Sequence, residues 1–211
     1  RSLGYVEGPG SPFEAVVEGV RALLHADGVA ILVRETSGEY RFRVAQGVLA
    51  EWGDYILSGS ASQLLESLLL RDEATLFKRK QRNPWAREFL LAAGMSWGAL
   101  APMRVRDQKV GALLVNNTQP VHVRAEHIEA FENLATLAGV ALVEGRLRDG
   151  LEDLFMSVIV SLTMALEAKD PYTEGHSVRV AAYSEAIGKQ LGLPSATLDL
   201  IHRSCLLHDI G

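Results

Sequence analysis

The residues with the clearest potential for chemistry are an adjacent histidine and aspartate, His208-Asp209, near the C-terminal end of the sequence. A neutral imidazole and a carboxylate both bind divalent metals, and one carboxylate can bridge two ions. His176 lies 32 residues earlier (176 to 208) and would provide a third ligand if the intervening segment forms two antiparallel helices. A polar helix end is the simpler interpretation of an isolated His-Asp pair, so the metal interpretation depends on the surrounding sequence.

Two predicted helices would bring these three residues together. The first opens near Thr173 and the second at Ser195, a favourable N-cap residue, and apolar residues recur in both at helical spacing. The apolar stripe of the second helix consists of Leu198, Ile201, Cys205 and Leu206. The apolar neighbours of Cys205 favour a buried structural thiol over a ligand or a nucleophile.

The segment DPYTEGHSVRV, followed by LLHDIG, resembles the start of the HD-GYP domains, a branch of the HD metal-dependent phosphohydrolases. The resemblance covers residues 166–211 and implies that His176, His208 and Asp209 are metal ligands, with Asp209 the catalytic, bridging carboxylate. Family members typically hydrolyse cyclic di-GMP with a pair of divalent metal ions, for which Fe or Mn is expected here. Members with three metals have a Glu four residues before the first His, where this sequence has Tyr172.

Arg179, one turn beyond His176, would contact a substrate phosphate or form a surface ion pair. The family's later ligands and its GYP loop follow the HD motif, whereas this sequence ends at Gly211. We therefore expect a fragment of a longer phosphodiesterase that is itself inactive. Two alternatives stay open, a non-catalytic sensor and dimerisation module, and another HD-superfamily phosphohydrolase acting on mononucleotides or (p)ppGpp.

The composition argues against several other classes of protein. Of the 211 residues, 48% are hydrophobic, which supports the core of one large or two small domains. The net charge is -5, without long runs of one sign, so binding to nucleic acid or to a membrane surface is not expected. The single cysteine fits a reducing compartment. Because the sequence shows no secretory signal and no apolar stretch of about 18 residues, we expect a soluble, cytoplasmic protein.

The residues upstream predict a mixed helix and sheet domain. A flexible N-terminal stretch (1–12) precedes a helix, a β-hairpin, a mixed crossover, a second β-hairpin and a long helix that starts near Arg124. The hairpin strands are predicted at 29–35 with 40–47 and at 97–105 with 109–117, and the crossover at 60–70 (helix), 74–77 (strand), 78–84 (basic loop) and 85–93 (helix). Alternation in the second strand places Tyr40, Phe42 and Val44 on one face of the sheet.

This order of elements is that of a GAF domain, and residues 13–145 resemble one, with a PAS-type sensor as the alternative. The expected fold class is therefore an α+β GAF-like domain with a central antiparallel sheet, then a long connecting helix and an all-α HD fragment. GAF domains often bind a small molecule, and Tyr40, Phe42 and Trp97 suit an apolar pocket. The segment lacks a cysteine for covalent bilin attachment and an NKFDE signature for cyclic nucleotides, and its isolated histidines favour structural roles over haem ligation.

A heptad pattern runs from the GAF-like segment into the connecting helix (146–165). Its positions are Leu137, Val140, Glu144, Leu147, Leu151, Leu154 and Val158, with the glutamate as a polar interruption. A helix buried against its own domain would show a similar pattern. Because the pattern continues past the expected domain junction, it favours a parallel dimeric signalling helix and hence a homodimer, in which a shift of helix register would link sensor to output.

Overall fold

The computed structural model describes residues 12–78, 94–167 and 175–209. The chain forms two compact units, Arg1–Gly145 and Arg146–Gly211. The predicted helix at 85–93 and all but the first residue of the basic loop at 78–84 lie outside the described residues. No helix in the described part of the chain is long and apolar enough to cross a membrane.

The first unit contains a six-stranded sheet in which every neighbouring pair of strands is antiparallel. Its elements are helix α1 (Pro12–Leu24), strands β1 (Gly28–Arg34), β2 (Tyr40–Gly47) and β3 (Ile56–Leu57), helix α2 (Gly59–Leu69), strands β4 (Thr75–Lys78), β5 (Trp97–Val105) and β6 (Gln108–Asn117), and the first part of helix α3 (Ala125–Glu167). The strand order is β3-β2-β1-β6-β5-β4. Both predicted hairpins are confirmed, and the expected fold class with them.

The sheet is covered on both faces, which explains why its central strand β1 is buried at six of its seven positions. Helices α1 and α3 pack on one face through residues such as Val17 and Phe131. Helix α2 packs on the other face through Leu65, Leu68 and Leu69. Alternate residues of each strand therefore enter different cores, as a strand with two buried faces requires.

A β-bulge in β2 overturns part of the predicted alternation. Ile31 pairs with Val44 and the next residue of β1, Leu32, pairs with Phe42, so Arg43 is the extra residue of the bulge. Tyr40 and Phe42 enter the core beneath α2, whereas Val44 packs on the face beneath α1 and α3. An extra residue shifts a strand's two-residue period by one, which sends every later side chain to the opposite face.

The aromatic residues predicted to share a pocket also lie on opposite faces of the sheet. Tyr40 and Phe42 belong to the α2 core, whereas Trp97 belongs to the core beneath α1 and α3. Phe42 instead contacts Trp52 and Tyr55, with ring centroids 6.0 and 6.4 Å away. The aromatic cluster on this side therefore combines β2 with the chain leading to β3.

The second unit consists of the last part of α3 and two shorter helices, α4 (His176–Gln190) and α5 (Ser195–Leu207). The predicted start of the first of these helices, Thr173, lies outside the described residues. The fully buried hydrophobic residues of the unit, within its described part, are Ile159, Ala181 and Leu206. This core is far smaller than either core of the sheet.

Candidate metal centre

The candidate site lies where the first residue of α4 meets the end of α5. Gly192, with a φ of 70°, turns the chain between the two helices, and Pro194 precedes α5 as its N-cap residue. The helices approach closely at Gly188, where a Cβ atom would lie 2.6 Å from Cδ2 of Leu198. This antiparallel packing returns the end of α5 to the start of α4, as the sequence predicts.

Three ligand atoms converge at this point. Oδ2 of Asp209 lies 3.7 Å from Nε2 of His176 and 3.2 Å from Nε2 of His208. Ligand atoms of all three residues lie within 4.8 Å of one another, the one such cluster of potential metal ligands in the described ranges. Atoms bound at ~2.1 Å to one ion lie roughly 3–3.5 Å apart. The carboxylate oxygen is therefore placed to share an ion with either imidazole.

A hydrogen bond orients the ring of His208 for this role. Nδ1 of His208 lies 2.7 Å from the carbonyl oxygen of Cys205. Because a carbonyl oxygen only accepts, the contact favours the tautomer with its proton on Nδ1 and leaves the Nε2 lone pair facing Asp209. Metal-binding histidines commonly donate their second ring N–H to a carbonyl in this way. The half-buried thiol of Cys205 itself packs against the small helical core.

The cluster is open to solvent within the described structure. The exposed fractions of the side chains are 43% for His176, 37% for His208 and 63% for Asp209. Two imidazole nitrogens and a carboxylate form a donor set that suits a borderline or hard divalent cation. The residues present therefore fit a metal ion, and the opening leaves it accessible to a further ligand.

Arg179, the predicted substrate-binding residue, lies beside the same helix end. Its backbone N–H donates to the carbonyl oxygen of Gly175 at 3.1 Å. A guanidinium nitrogen of Arg179 lies 3.0 Å from the position that a Cβ atom of Gly175 would occupy. Gly175 directly precedes His176, so this guanidinium lies at the helix end that carries one of the candidate ligands.

Two buried polar residues of α3 contact the helices that hold the cluster, and neither was predicted from the sequence. Oγ1 of Thr163 donates to the carbonyl oxygen of Leu206 at 3.1 Å, and Oε1 of Glu167 accepts from the N–H of Ser177 at 2.8 Å. Ser177, the backbone N–H of Gly175 and nearby His176 hold the pKa of Glu167 below its ordinary value. Polar residues in a helix carry no local signal of such contacts, because their partners are brought near only by folding.

Two histidines of the first unit, His25 and His127, make contacts next to the ends of helices. His25 adopts a positive φ of 48° in the turn after α1, and its carbonyl oxygen accepts from Nδ2 of the buried Asn117 at 3.0 Å. Nδ1 of His127 accepts from the N–H of Arg124 at 3.4 Å, at the start of α3. Both contacts terminate or begin an element, and neither histidine belongs to the metal-ligand cluster.

Comparisons with known proteins agree with this two-part organisation. The model of the GAF domain matches residues 10–142, and the model of the HD domain matches residues 173–211. Among curated proteins, the 3'3'-cGAMP-specific phosphodiesterase 3 of Vibrio cholerae serotype O1 is 44% identical over 62 residues. That alignment covers 29% of this chain and 14% of the relative, so the chain spans only a small part of the relative's length.

Solved structures with a similar fold include two GAF domains and a GAF domain/HD domain protein. The GAF domain of a Bacillus halodurans sensor histidine kinase has a TM-score of 0.55, with 13% identity over 65% of this chain and 95% of that one. The GAF domain/HD domain protein of Geobacter sulfurreducens has a TM-score of 0.53, with 17% identity over 64% of this chain and 92% of that one. The GAF domain of an Acinetobacter phosphoenolpyruvate-protein phosphotransferase has a TM-score of 0.52, with 14% identity over 68% of this chain and 88% of that one. The GAF model matches well over half of the residues of this chain. The chain therefore belongs to the GAF domain family, and its GAF domain is followed by part of an HD domain.

Proposed function

We propose that the chain is the GAF sensor and the first part of the catalytic domain of an HD-GYP-type phosphodiesterase that hydrolyses a cyclic dinucleotide. The observation that carries this proposal is the convergence of His176, His208 and Asp209 at one point of the segment that matches the HD model. A chance cluster of polar helix ends would not require the ring of His208 to be held by a backbone carbonyl. The tautomer favoured by that contact is the one that metal binding through Nε2 needs.

Each residue of the cluster has a distinct proposed role. His176 and His208 would each bind a metal ion through Nε2, and Asp209, which lies between them, would bridge a pair of divalent ions, Fe or Mn. When bound, such ions lower the pKa of water and stabilise negative charge on phosphoryl oxygens. The protein's part is to hold the two imidazoles and the carboxylate at a fixed separation before substrate arrives.

The substrate class is proposed from the cation beside the cluster and from the curated relative. The guanidinium of Arg179 folds back over Gly175, where it would pair with a phosphate oxygen of a substrate at the metal ions. Cyclic di-GMP is the substrate implied by the HD-GYP resemblance, and the relative's name specifies 3'3'-cGAMP. Both are cyclic dinucleotides with two 3'–5' phosphodiester bonds, so the same phosphate chemistry serves either.

We also propose that the protein acts as a homodimer through α3. The following large apolar residues of the second part of α3 are between 47% and 66% exposed: Leu147, Leu151, Leu154, Phe155, Val158 and Leu162. Most of them continue the heptad positions predicted from the sequence, and Leu137 and Val140, earlier in the helix, are exposed as well. A helix with such a stripe buries it most simply against the same stripe of a second copy.

Metal binding by the 211-residue chain tests the catalytic part of the proposal. We expect saturable binding of Mn²⁺, measured by electron paramagnetic resonance, and at least about a tenfold weaker affinity in Asp209→Asn and His208→Ala. Asp199→Asn, which alters an exposed carboxylate on α5, is the matched control and should bind as the unaltered chain does. Equal Mn²⁺ binding by all four proteins would contradict the metal centre and favour a non-catalytic sensor and dimerisation module.

Turnover is a separate measurement on the same samples. Three donor side chains do not fill the coordination spheres of two ions, so we expect no hydrolysis of cyclic di-GMP or 3'3'-cGAMP by the Mn²⁺-loaded 211-residue chain. Hydrolysis of either compound that is abolished by Asp209→Asn would contradict the expected inactivity of this chain. The same result would support the proposed chemistry and identify the preferred base.

A further inference from the structure

One face of the last turns of α3 contacts both of the helices that bear the candidate ligands. Ile159, Thr163 and Glu167 follow one another at intervals of four residues and therefore lie on the same face of the helix. Their exposed fractions are 6%, 3% and 9%, whereas most of the neighbouring residues of α3 are exposed. Ile159 packs against Ala181 of α4 and Leu206 of α5 in the small helical core. The two polar residues that follow continue this buried stripe toward the candidate metal centre.

Thr163 holds the backbone at the end of α5. Its hydroxyl donates to the carbonyl oxygen of Leu206, in a contact that is buried. The last carbonyl groups of a helix have no partner within the helix, so this hydroxyl satisfies a group that would otherwise be buried without a donor. Leu206 precedes His208 by two residues, and its side chain is 1% exposed.

Glu167 holds the backbone at the start of α4. The residue before this helix, Gly175, has a left-handed conformation and provides no side-chain cap. The carboxylate of Glu167 takes that place by accepting the N–H of Ser177, one of the first-turn donors that have no partner within the helix. A negative charge is also favourable at a helix N-terminus. Ser177 directly follows His176, so the capped turn is the one that carries the candidate ligand.

We infer that Thr163 and Glu167 are positioning residues that set the separation between His176 and the His208–Asp209 pair. The inference rests on the proposed metal centre and goes beyond it, because neither residue belongs to the ligand cluster. The two backbone contacts start from successive turns of one face of α3, and each meets its target within two residues of a candidate ligand. The start of α4 and the end of α5 are therefore both held by α3, in addition to packing against each other.

Helix α3 also joins these contacts to the GAF domain. Helix α3 is continuous from Ala125 to Glu167, and residues at its beginning, such as Phe131, pack in the core of the GAF domain. A rotation or a shift of α3 along its axis would move Thr163 and Glu167 together. Since each holds a different ligand-bearing helix end, the movement would displace those helix ends and the candidate ligands that they carry.

Cobalt binding to the 211-residue chain tests this inference, because Co²⁺ reports both affinity and coordination geometry through its visible absorption. We expect Glu167→Ala to weaken Co²⁺ binding by about 10- to 100-fold, the usual effect of losing a residue that orients a metal ligand. Glu167→Gln retains an acceptor oxygen and should have a smaller effect. Thr163→Val removes the hydroxyl while keeping the shape of the side chain and should also weaken binding.

Two control variants alter polar side chains of the same unit that make neither of these backbone contacts. Asp199→Asn alters an exposed carboxylate on α5, and Ser161→Ala removes a hydroxyl of α3 that donates to the carbonyl oxygen of Ser157 in its own helix. Neither should change the affinity by more than about twofold or alter the absorption bands. Amide hydrogen exchange at Ser177 gives a second readout that needs no metal, and Glu167→Ala should raise its rate.

The outcomes separate this inference from the proposed function. Co²⁺ binding that is lost in Asp209→Asn but unchanged in Glu167→Ala and Thr163→Val, with unaltered absorption bands, would overturn the positioning role and leave the metal centre in place. An equal loss of helicity and of binding in all the variants, controls included, would overturn it as well, since that indicates a general loss of folding. Absence of Co²⁺ binding that depends on Asp209 would overturn the metal centre and the inference together.

Discussion

The two units of the chain differ in how fully their described side chains are buried, and the unit with the more exposed residues is the one that carries the candidate chemistry. In the GAF domain, Tyr40, Phe42, Trp97 and Phe131 are each 1% exposed or less. In the helical unit, large apolar residues such as Leu154 remain 60% exposed, and three of its described residues form the buried hydrophobic core. We therefore expect the candidate site on this small core to depend on polar contacts as well as on packing.

The largest expected effect comes from replacing one glycine by alanine in each unit, which tests the difference in packing between them. A Cβ atom at Gly111 of β6 would lie 2.2 Å from the carbonyl oxygen of Leu32, whereas nothing lies within 4 Å of one at Gly150 of α3. We expect Gly111→Ala to reduce the free energy of unfolding by about 3 kcal/mol, and Gly150→Ala to raise helix stability by up to about 1 kcal/mol. Urea denaturation followed by tryptophan fluorescence and by circular dichroism measures both. Similar destabilisation by the two substitutions would contradict the contrast in packing.

An intermediate effect is expected from charges placed in the exposed stripe of α3. Leu151→Asp with Leu154→Asp should weaken dimerisation at least about tenfold, which is about 1.4 kcal/mol, because the charges would be buried in the seam. Sedimentation velocity at micromolar concentration would report a shift from dimer to monomer. Leu70→Asp, at an exposed leucine of the GAF domain, is the control and should leave the mass unchanged. If the unaltered chain sediments as a monomer, the proposed homodimer is refuted.

The smallest expected effect concerns a polar contact of the GAF domain, where packing should make single contacts matter little. Oδ2 of Asp27 accepts from Oγ1 of Thr118 at 2.6 Å and from its N–H at 2.7 Å. The Thr118 hydroxyl, then its N–H, and nearby Arg21 lower the pKa of Asp27. Folding therefore favours the carboxylate, and the resulting stability is present above the unfolded pKa of about 3.9 and is lost as pH falls through the lower folded value.

Asp27→Asn should accordingly cost less than about 1 kcal/mol at pH 7, because the contact is exposed to solvent. The difference from the unaltered chain should shrink as the pH falls below about 4. Urea denaturation between pH 7 and pH 3 measures it, with Asp107→Asn in the exposed turn between β5 and β6 as the control. A difference that grows toward low pH would contradict the assigned direction of the pKa shift.

The order and type of the elements follow from the sequence because their signals are local. Alternation and turn residues predict β5 at 97–105, and the observed strand has the same bounds. The pairing of β1 with β6 joins segments about eighty residues apart, and no pattern within either strand specifies that partner. The bulge at Arg43 was also missed, because an extra residue in one strand is visible only once the partner strand is known.

The candidate ligands were found because a motif at a fixed spacing identifies them, and the structure brings all three together. The contacts of Thr163 and Glu167 had no such signal. In sequence they are ordinary polar residues of a helix, and their burial depends on which face of α3 meets α4 and α5. A side chain that bonds to a backbone group is hard to predict from sequence, because the residue that contributes the backbone group can be of any type.

The unbroken helix α3 has a consequence for how the length of such a protein can vary. Each residue added to a helix turns everything after it by about 100° and advances it by about 1.5 Å. Seven added residues nearly restore the angular phase, with a drift of about 20°, whereas three or four leave a larger error. Insertions of about 7, 11 or 18 residues between Phe131 and Thr163 keep the angular error within about 20°, so they should be tolerated better than insertions of about three or four residues.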